Sequence, residues 1–167
     1  MKSDRFIFRA ILPDEADQAV EIEQICFPPH EACSEQHMKE RIEKAPELFL
    51  VAVDRETGLV AGVLNGLSTD EESFRDEFFT DAELYDPKGK NVMLLGLDVL
   101  PQYRRQGLGT ALVEEYVRRE RENGRQALIL TCLQEKVAMY KKMGFYDDGI
   151  ANSTWGGEEW HEMTRIL

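Results

Sequence analysis

An apolar run from Val92 to Leu100 leads through Pro101-Gln102-Tyr103 into Arg104-Arg105-Gln106-Gly107-Leu108-Gly109-Thr110, and a helical period follows from Leu108 to Arg121. Nothing else in the chain restricts its fold as much. The run is apolar at successive rather than alternate positions, the pattern of a strand covered on both faces. In the helix, Leu108, Ala111, Leu112 and Tyr116 share one side, and Asn123-Gly124 marks the stop. Strand, glycine turn and helix N-terminus in that order make an anion site. The first-turn N–H groups have no intrahelical partner, and the helix dipole favours negative charge there. Gly107 and Gly109 lack a Cβ, so a phosphate can come close to the main chain. The backbone amides from Gln106 to Thr110, aided by the charge of Arg104 and Arg105, thus form a candidate pyrophosphate cradle.

Two phosphate loops are excluded. A P-loop requires Lys after its last glycine, but Thr110 follows Gly109; the dinucleotide fingerprint requires a third small residue that does not follow at the right spacing. The segment instead resembles the R/Q-x-x-G-x-G/A signature of the GCN5-related N-acetyltransferases, with Arg104, Gly107 and Gly109 in the marked positions. About thirty residues further on, Ala138-Met139-Tyr140-Lys141-Lys142-Met143-Gly144-Phe145 is similar to the same family's Y-x-x-x-G-F ending. Glu21-Ile22-Glu23 to Phe27, Pro46-Glu47-Leu48, Cys132 and Glu162-Met163 look most like its arylalkylamine (serotonin) branch.

The resemblance implies an α/β fold in a single domain, residues 1–167: one mixed, mostly antiparallel sheet flanked by helices. It implies acetyl-CoA as the donor, and no metal. The main chain of Leu97, Asp98 and Val99 would run along the pantetheine arm and orient the acetyl carbonyl. Arg104, Arg105, Gln106, Gly107, Leu108, Gly109 and Thr110 would hold the pyrophosphate. Tyr140 would point its hydroxyl at the sulfur as general acid, since a phenol of pKa about 10 can protonate a thiolate of similar basicity. Two histidines of the serotonin enzymes fall on Met93 and Leu95, and neither side chain accepts a proton. The general base therefore stays open among His30, Glu31, Glu35 and Asp98. Phe27, Pro28 and Glu31, in the loop after the first helix, are the candidate acceptor contacts: Phe27 to pack an apolar body, Glu31 to pair an ammonium.

Composition bears on the acceptor. With 32 acidic and 20 basic residues the net charge is −12, which repels nucleic acid and anionic membranes and concentrates cations. No apolar run approaches the roughly 20 residues of a membrane span. The lead Met1 to Arg5 runs toward a strand rather than a signal-peptide core, and a cytoplasmic protein is expected. Cys26, Cys33 and Cys132 are odd in number, without C-x-x-C spacing, and indicate neither a disulfide framework nor a zinc cluster. The chain suits a monomer or a homodimer.

Elsewhere, Phe6 to Leu12 reads as a strand, and Asp14 as the cap of a helix over Ala16, Ala19, Val20, Ile22, Glu23 and Cys26. Phe27 to Cys33 is a loop, and Ser34 caps a second helix with Met38, Ile42 and Ala45 on one face. Strands at Leu48–Val53 and Leu59–Leu67 flank a hairpin turn ending in Gly58. Residues 68–91 form an acidic insert whose Phe74, Phe78, Phe79 and Tyr85 suggest a short amphipathic helix. A strand at Ala127–Leu133, a helix at Glu135–Met143, and strands at Phe145–Ile150 and Glu159–Ile166 complete the chain. Three functions are compatible with this reading: N-acetylation of a small cationic amine (arylalkylamine or polyamine), N-acetylation of a protein or peptide, and CoA binding without catalysis.

Overall fold

The computed structural model describes residues 3–167; Met1 and Lys2, the start of the expected lead into the first strand, lie outside the described residues. The strands are β1 (Phe6–Ala10), β2 (Phe49–Asp54), β3 (Val60–Thr69), β4 (Asn91–Val99), β5 (Ala127–Cys132), β6 (Tyr146–Ile150) and β7 (His161–Ile166). They form one sheet in the order β1-β2-β3-β4-β5-β7-β6. Neighbours are antiparallel except β4 and β5, which are parallel. The helices are α1 (Ala16–Cys26), α2 (Glu35–Lys44), α3 (Glu77–Thr80), α4 (Leu108–Glu122) and α5 (Val137–Lys142). This is the mixed, mostly antiparallel α/β architecture the motifs imply.

Both faces of the central strands are covered, which is why their sequences are apolar throughout. All ten residues of β3 are buried. On one face Asn65 accepts a hydrogen bond from Arg41 Nη1 of α2 at 2.7 Å. On the other face a Cβ at Gly62 would lie 3.1 Å from Leu112 and 3.5 Å from Leu108 of α4. Helix α4 buries Leu108, Leu112, Val113, Tyr116 and Val117, the 3.6-residue stripe expected of it. Each such side chain contributes about 1.5–3 kcal/mol on burial. The β2–β3 turn closes as its chemistry dictates: the Glu56 N–H donates to Asp54 Oδ1 at 2.9 Å, and Gly58 takes φ +72°.

Several local expectations are corrected. Asp14 does not cap α1, because Pro13 opens a 3₁₀ turn over Pro13–Glu15 and Glu15 becomes the boundary residue. Glu15 instead accepts from Leu12 N at 2.9 Å and is bidentate with Arg9. Ser34 does cap α2, accepting from His37 N at 3.2 Å. The helix expected from Glu135 begins with a 3₁₀ turn, Gln134–Lys136, and only then becomes α5. The insert forms a single helical turn, α3, followed by a 3₁₀ turn at Ala82–Leu84, with Phe74, Phe78 and Phe79 buried as a cluster. The last strand starts at His161 rather than Glu159, and a 3₁₀ turn, Trp155–Gly157, lies ahead of it.

The parallel pair positions the site. β4 and β5 are in register only at Asn91↔Ala127, Val92↔Leu128 and Met93↔Ile129. Beyond Met93 they part, and a gap opens in the middle of the sheet. The β3–β4 ladder shifts at the same level, from Gly66↔Leu94 to Asn65↔Gly96, so Leu95 is an extra residue on β4. An extra residue of this kind bends the strand that carries it.

Candidate active site

At one end of the gap, the turn after β4 takes two left-handed residues in quick succession, Arg105 (φ +62°) and Gly107 (φ +79°). Gly107 is the boundary residue of α4 and supplies no side-chain cap, so the first-turn N–H groups of α4 stay available. The first intrahelical bond runs from Ala111 N to Gly107 O. A Cβ at Gly109 would find Met143, Leu97 and Val99 at 3.7–3.9 Å, ordinary contacts, so packing does not demand glycine there. Its absence of a side chain leaves room for a ligand, and an uncapped helix start behind a glycine fits a pyrophosphate. Arg104 Nε donates to Val99 O at 2.9 Å, tying turn to strand. Leu108 is buried and can offer only its main chain; Arg105 and Thr110 are exposed. Tyr103 anchors the turn from below, donating to Asp54 Oδ2 at 2.6 Å, and this bond holds the Asp54 carboxyl below its usual range.

A cavity of about 130 Å³ occupies the gap itself. Leu94 to Leu97 of β4 form one wall and Leu130 to Leu133 the other, with Val113 of α4 at one end. Tyr140 lies on α5 against this cavity, its ring edge-on to Phe145 at 5.6 Å. Burial, reinforced by Cys132 and Asp98, pushes the phenol well above its ordinary value and keeps it a neutral proton donor. Burial likewise pushes the neighbouring Cys132 up to about 11, so it stands as a thiol at neutral pH, not a nucleophilic thiolate.

The other end is acidic and roofed. Glu23 of α1, Phe27 and Glu31 line it, together with Phe79, Trp155 and Trp160. Trp155 lies against Phe79, centroids 4.6 Å apart, and its Nε1 donates to Glu31 O at 2.8 Å. His30 bridges Glu31 (3.2 Å) and Glu158 (3.4 Å), pinning the loop after α1 to the β6–β7 connection. Of the acceptor contacts read from sequence, Phe27 and Glu31 face the cavity. Pro28 is exposed and shapes the loop, its carbonyl accepting from Glu31 N and Ala32 N. Of the candidate bases, His30 sits outside the cavity in this bridge, and Glu35 lies at the start of α2, 3.9 Å from Lys39. Asp98 is fully buried, its side chain turned toward α1. Sequence reading placed Glu23 in a helix and Phe79 in the insert, but assigned none of Glu23, Phe79, Trp155 and Trp160 to the site. For Glu23 a signal existed: a carboxylate on the apolar stripe of an amphipathic helix.

A mixed sheet split between two parallel strands, with an uncapped glycine-bearing helix start at the split and a tyrosine lining it, is the arrangement that the resemblance to the acetyltransferases implies. The chain belongs to the acetyltransferase (GNAT) family, whose sequence model matches residues 16–145. Membership makes it an acetyl-CoA-dependent N-acetyltransferase. Among solved structures it is similar to the loading GNATL domain of CurA from Lyngbya majuscula (TM-score 0.81, 12% identity, 96% of this chain and 97% of that one). It is similar also to the GphF GNAT-like decarboxylase in complex with isobutyryl-CoA (0.80, 18%, 96% and 98%) and to Ard1 from Thermoplasma volcanium (0.76, 20%, 98% and 98%). At these identities the likeness is one of fold. No curated protein sequence matches the chain. No helix among the described residues is long and apolar enough to cross a membrane.

Proposed function

We propose that the protein moves the acetyl group of acetyl-CoA to the primary amine of a small cationic acceptor, an arylalkylamine or a polyamine, by direct attack in a ternary complex. The observation that carries this reading is the acidic, aromatic-lined end of the cavity, partly covered by contacts between loops. A protein N-terminus or lysine needs a groove along which the chain can leave. Here the Phe79–Trp155 contact, the Trp155–Glu31 hydrogen bond and the His30 bridge join three separate segments over the acceptor end. Glu23 and Glu31 on the walls suit an ammonium, and Phe27 and the two tryptophans suit an apolar body.

In this reading the main chain of Leu97 and Asp98 lines the donor arm, while Gln106 to Thr110 hold its pyrophosphate with Arg104 and Arg105 alongside. Acetyl-CoA supplies the activated acyl group. Tyr140 gives the departing sulfur its proton, and Cys132, as a buried thiol, takes no acyl group. Incubating pure protein with acetyl-CoA and a panel of aryl and aliphatic amines, polyamines and peptides, with thiol release as readout, tests the proposal. Small amines are expected to react and peptides not to. Peptides reacting best would replace the acceptor class, and CoA binding with no turnover on any acceptor would make the protein a sensor.

A further inference from the structure

The loop after α1 and the β6–β7 connection meet at His30, Glu31 and Glu158, and the meeting is built from both sides. In the loop, Pro28 O accepts from Glu31 N at 2.9 Å and from Ala32 N at 3.0 Å, a tight turn that carries His30 and Glu31 side by side. In the connection, Gly156 and Gly157 take φ +63° and +74° just ahead of Glu158. A Cβ at Gly156 would lie 2.5 Å from His30 O and 3.2 Å from its ring Cδ2. Only glycine therefore lets the connection seat directly on the histidine.

One atom of each side chain faces the same point. His30 Nε2 lies 3.2 Å from Glu31 Oε2 and 3.4 Å from Glu158 Oε1, and the three atoms are all within 4.8 Å of one another. A ring nitrogen donates at most one N–H, so it cannot satisfy both carboxylates, and 3.4 Å is beyond an ordinary N–H···O bond. Among the described residues neither carboxylate is paired with a lysine or an arginine. For Glu31 this is costly, because its side chain is only 11% exposed. The protein thus brings together two negative charges and an imidazole nitrogen and supplies no counter-charge.

We propose that His30, Glu31 and Glu158 bind a divalent transition metal of the zinc class, and that the ion locks the loops covering the acceptor end. Zinc holds nitrogen and oxygen ligands at about 2.0–2.1 Å, which in a tetrahedron sets the ligand atoms about 3.3–3.4 Å apart. The two separations from His30 Nε2 fit that edge. Magnesium and calcium fit less well, since they prefer oxygen ligands, and six or more of them. A neutral imidazole and two carboxylates balance the charge of the ion. The His30 and Glu158 side chains are 49% and 43% exposed, so the fourth position opens to solvent and the ion has a way in.

His30 and Glu158 lie outside the cavity and Glu31 lines it, so the metal acts on the acceptor end through Glu31. Once it ligates the ion, Glu31 no longer offers a free charge to an ammonium. Trp155 is tied in as well, through its Nε1 bond to Glu31 O at 2.8 Å. Zinc therefore opposes entry of a cationic acceptor. This consequence rests on the amine reading above; the metal site does not.

The test titrates chelator-stripped protein with zinc, magnesium and calcium against a chromophoric chelator, for wild type, His30→Ala and Glu158→Gln. Wild type should bind one zinc per chain and neither of the other ions at the same concentrations. Each variant should bind zinc about 100-fold more weakly, since loss of even an outer partner costs about 10–100-fold. Cobalt(II) in wild type should show the visible bands of a tetrahedral ion without the near-ultraviolet band of a cobalt–thiolate bond, which separates this site from the cysteines. CoA titration identifies folded variants, and the exposed Glu158→Gln decides the question if His30→Ala does not bind CoA. Zinc should raise KM for a small cationic amine about tenfold or more in wild type and leave it unmoved in Glu158→Gln. Equal zinc affinity in wild type and both variants, or a thiolate band, would overturn the site. An unchanged KM in zinc-loaded wild type would overturn its coupling to the acceptor end. Zinc binding through His30 with no acetylation of any small amine would leave the site standing and overturn the function instead.

Discussion

Replacing Tyr140 by Phe should separate chemistry from stability. Tyr140 lines the cavity, and the raised pKa of its phenol comes from burial and nearby charge, not from a hydrogen bond to the protein. Its removal therefore deletes no protein hydrogen bond, and the ring keeps its edge-on contact with Phe145 at 5.6 Å. Loss of such a group changes stability by less than about 0.5 kcal/mol. For a domain of this size that is a shift of about 1–2 °C in Tm. Loss of a general acid costs about 10²–10⁴ in rate, or about 2.7–5.5 kcal/mol of barrier. Thiol release with a reactive amine gives kcat, a thermal melt gives stability, and a titration gives CoA affinity. The expected result is a collapsed kcat with the other two unchanged. Wild-type turnover in Tyr140→Phe would refute the assignment of the acid, and a fall in Tm of several degrees would refute the account of the hydroxyl as unbonded.

Three other outcomes follow from the same geometry. Gly109→Ala should leave thermal stability intact, since its Cβ meets only contacts of 3.7–3.9 Å, while weakening CoA binding by about tenfold, or 1.4 kcal/mol. Trp155→Ala should raise KM for the amine without altering CoA affinity and cost about 2–3 kcal/mol in a denaturant melt, because the Phe79 contact and the bond to Glu31 O are both lost. Asp98→Asn should change the pH dependence of stability. A buried carboxyl whose folded pKa is raised binds its proton more tightly in the native state, so its favourable contribution is full below the unfolded value of about 3.9 and is lost as pH rises through the folded one. The variant should therefore gain on wild type in thermal melts as pH rises from acid toward neutral, and a constant difference across that range would contradict the buried, elevated carboxyl.

The local readings that held were those with a local cause. Ser34 caps α2 because a hydroxyl one residue before a helix can accept from a free first-turn N–H, here that of His37 three residues on. The stripe of α4 and the unbroken apolar run of β4 record burial on one side and on two. Where a neighbouring preference competed, reading failed. Pro13 drew Asp14 into a 3₁₀ turn, and the insert kept its aromatic cluster but little of its helix. The proposed acceptor end was less legible still. Phe27 and Glu31 stood out in a proline-rich loop, but Trp155 joins them only because the β6–β7 connection folds back over the cavity.

The sequence by itself determined the frame of the proposed donor half of this protein. Val92 to Arg121 is one continuous stretch in which strand, glycine turn and helix start are adjacent, so the proposed anion site follows from short-range backbone geometry alone. Tertiary structure decided the proposed acceptor half. Where β5 parts from β4 depends on how many ladder pairs the packed sheet can hold, and only that parting opens the cavity. The meeting of Glu23 and Asp98 at Gly96 likewise requires α1 to lie across β4. Each carboxylate, read in its own segment, is an ordinary charge; burial beside the other changes what it can do, and burial belongs to the whole fold.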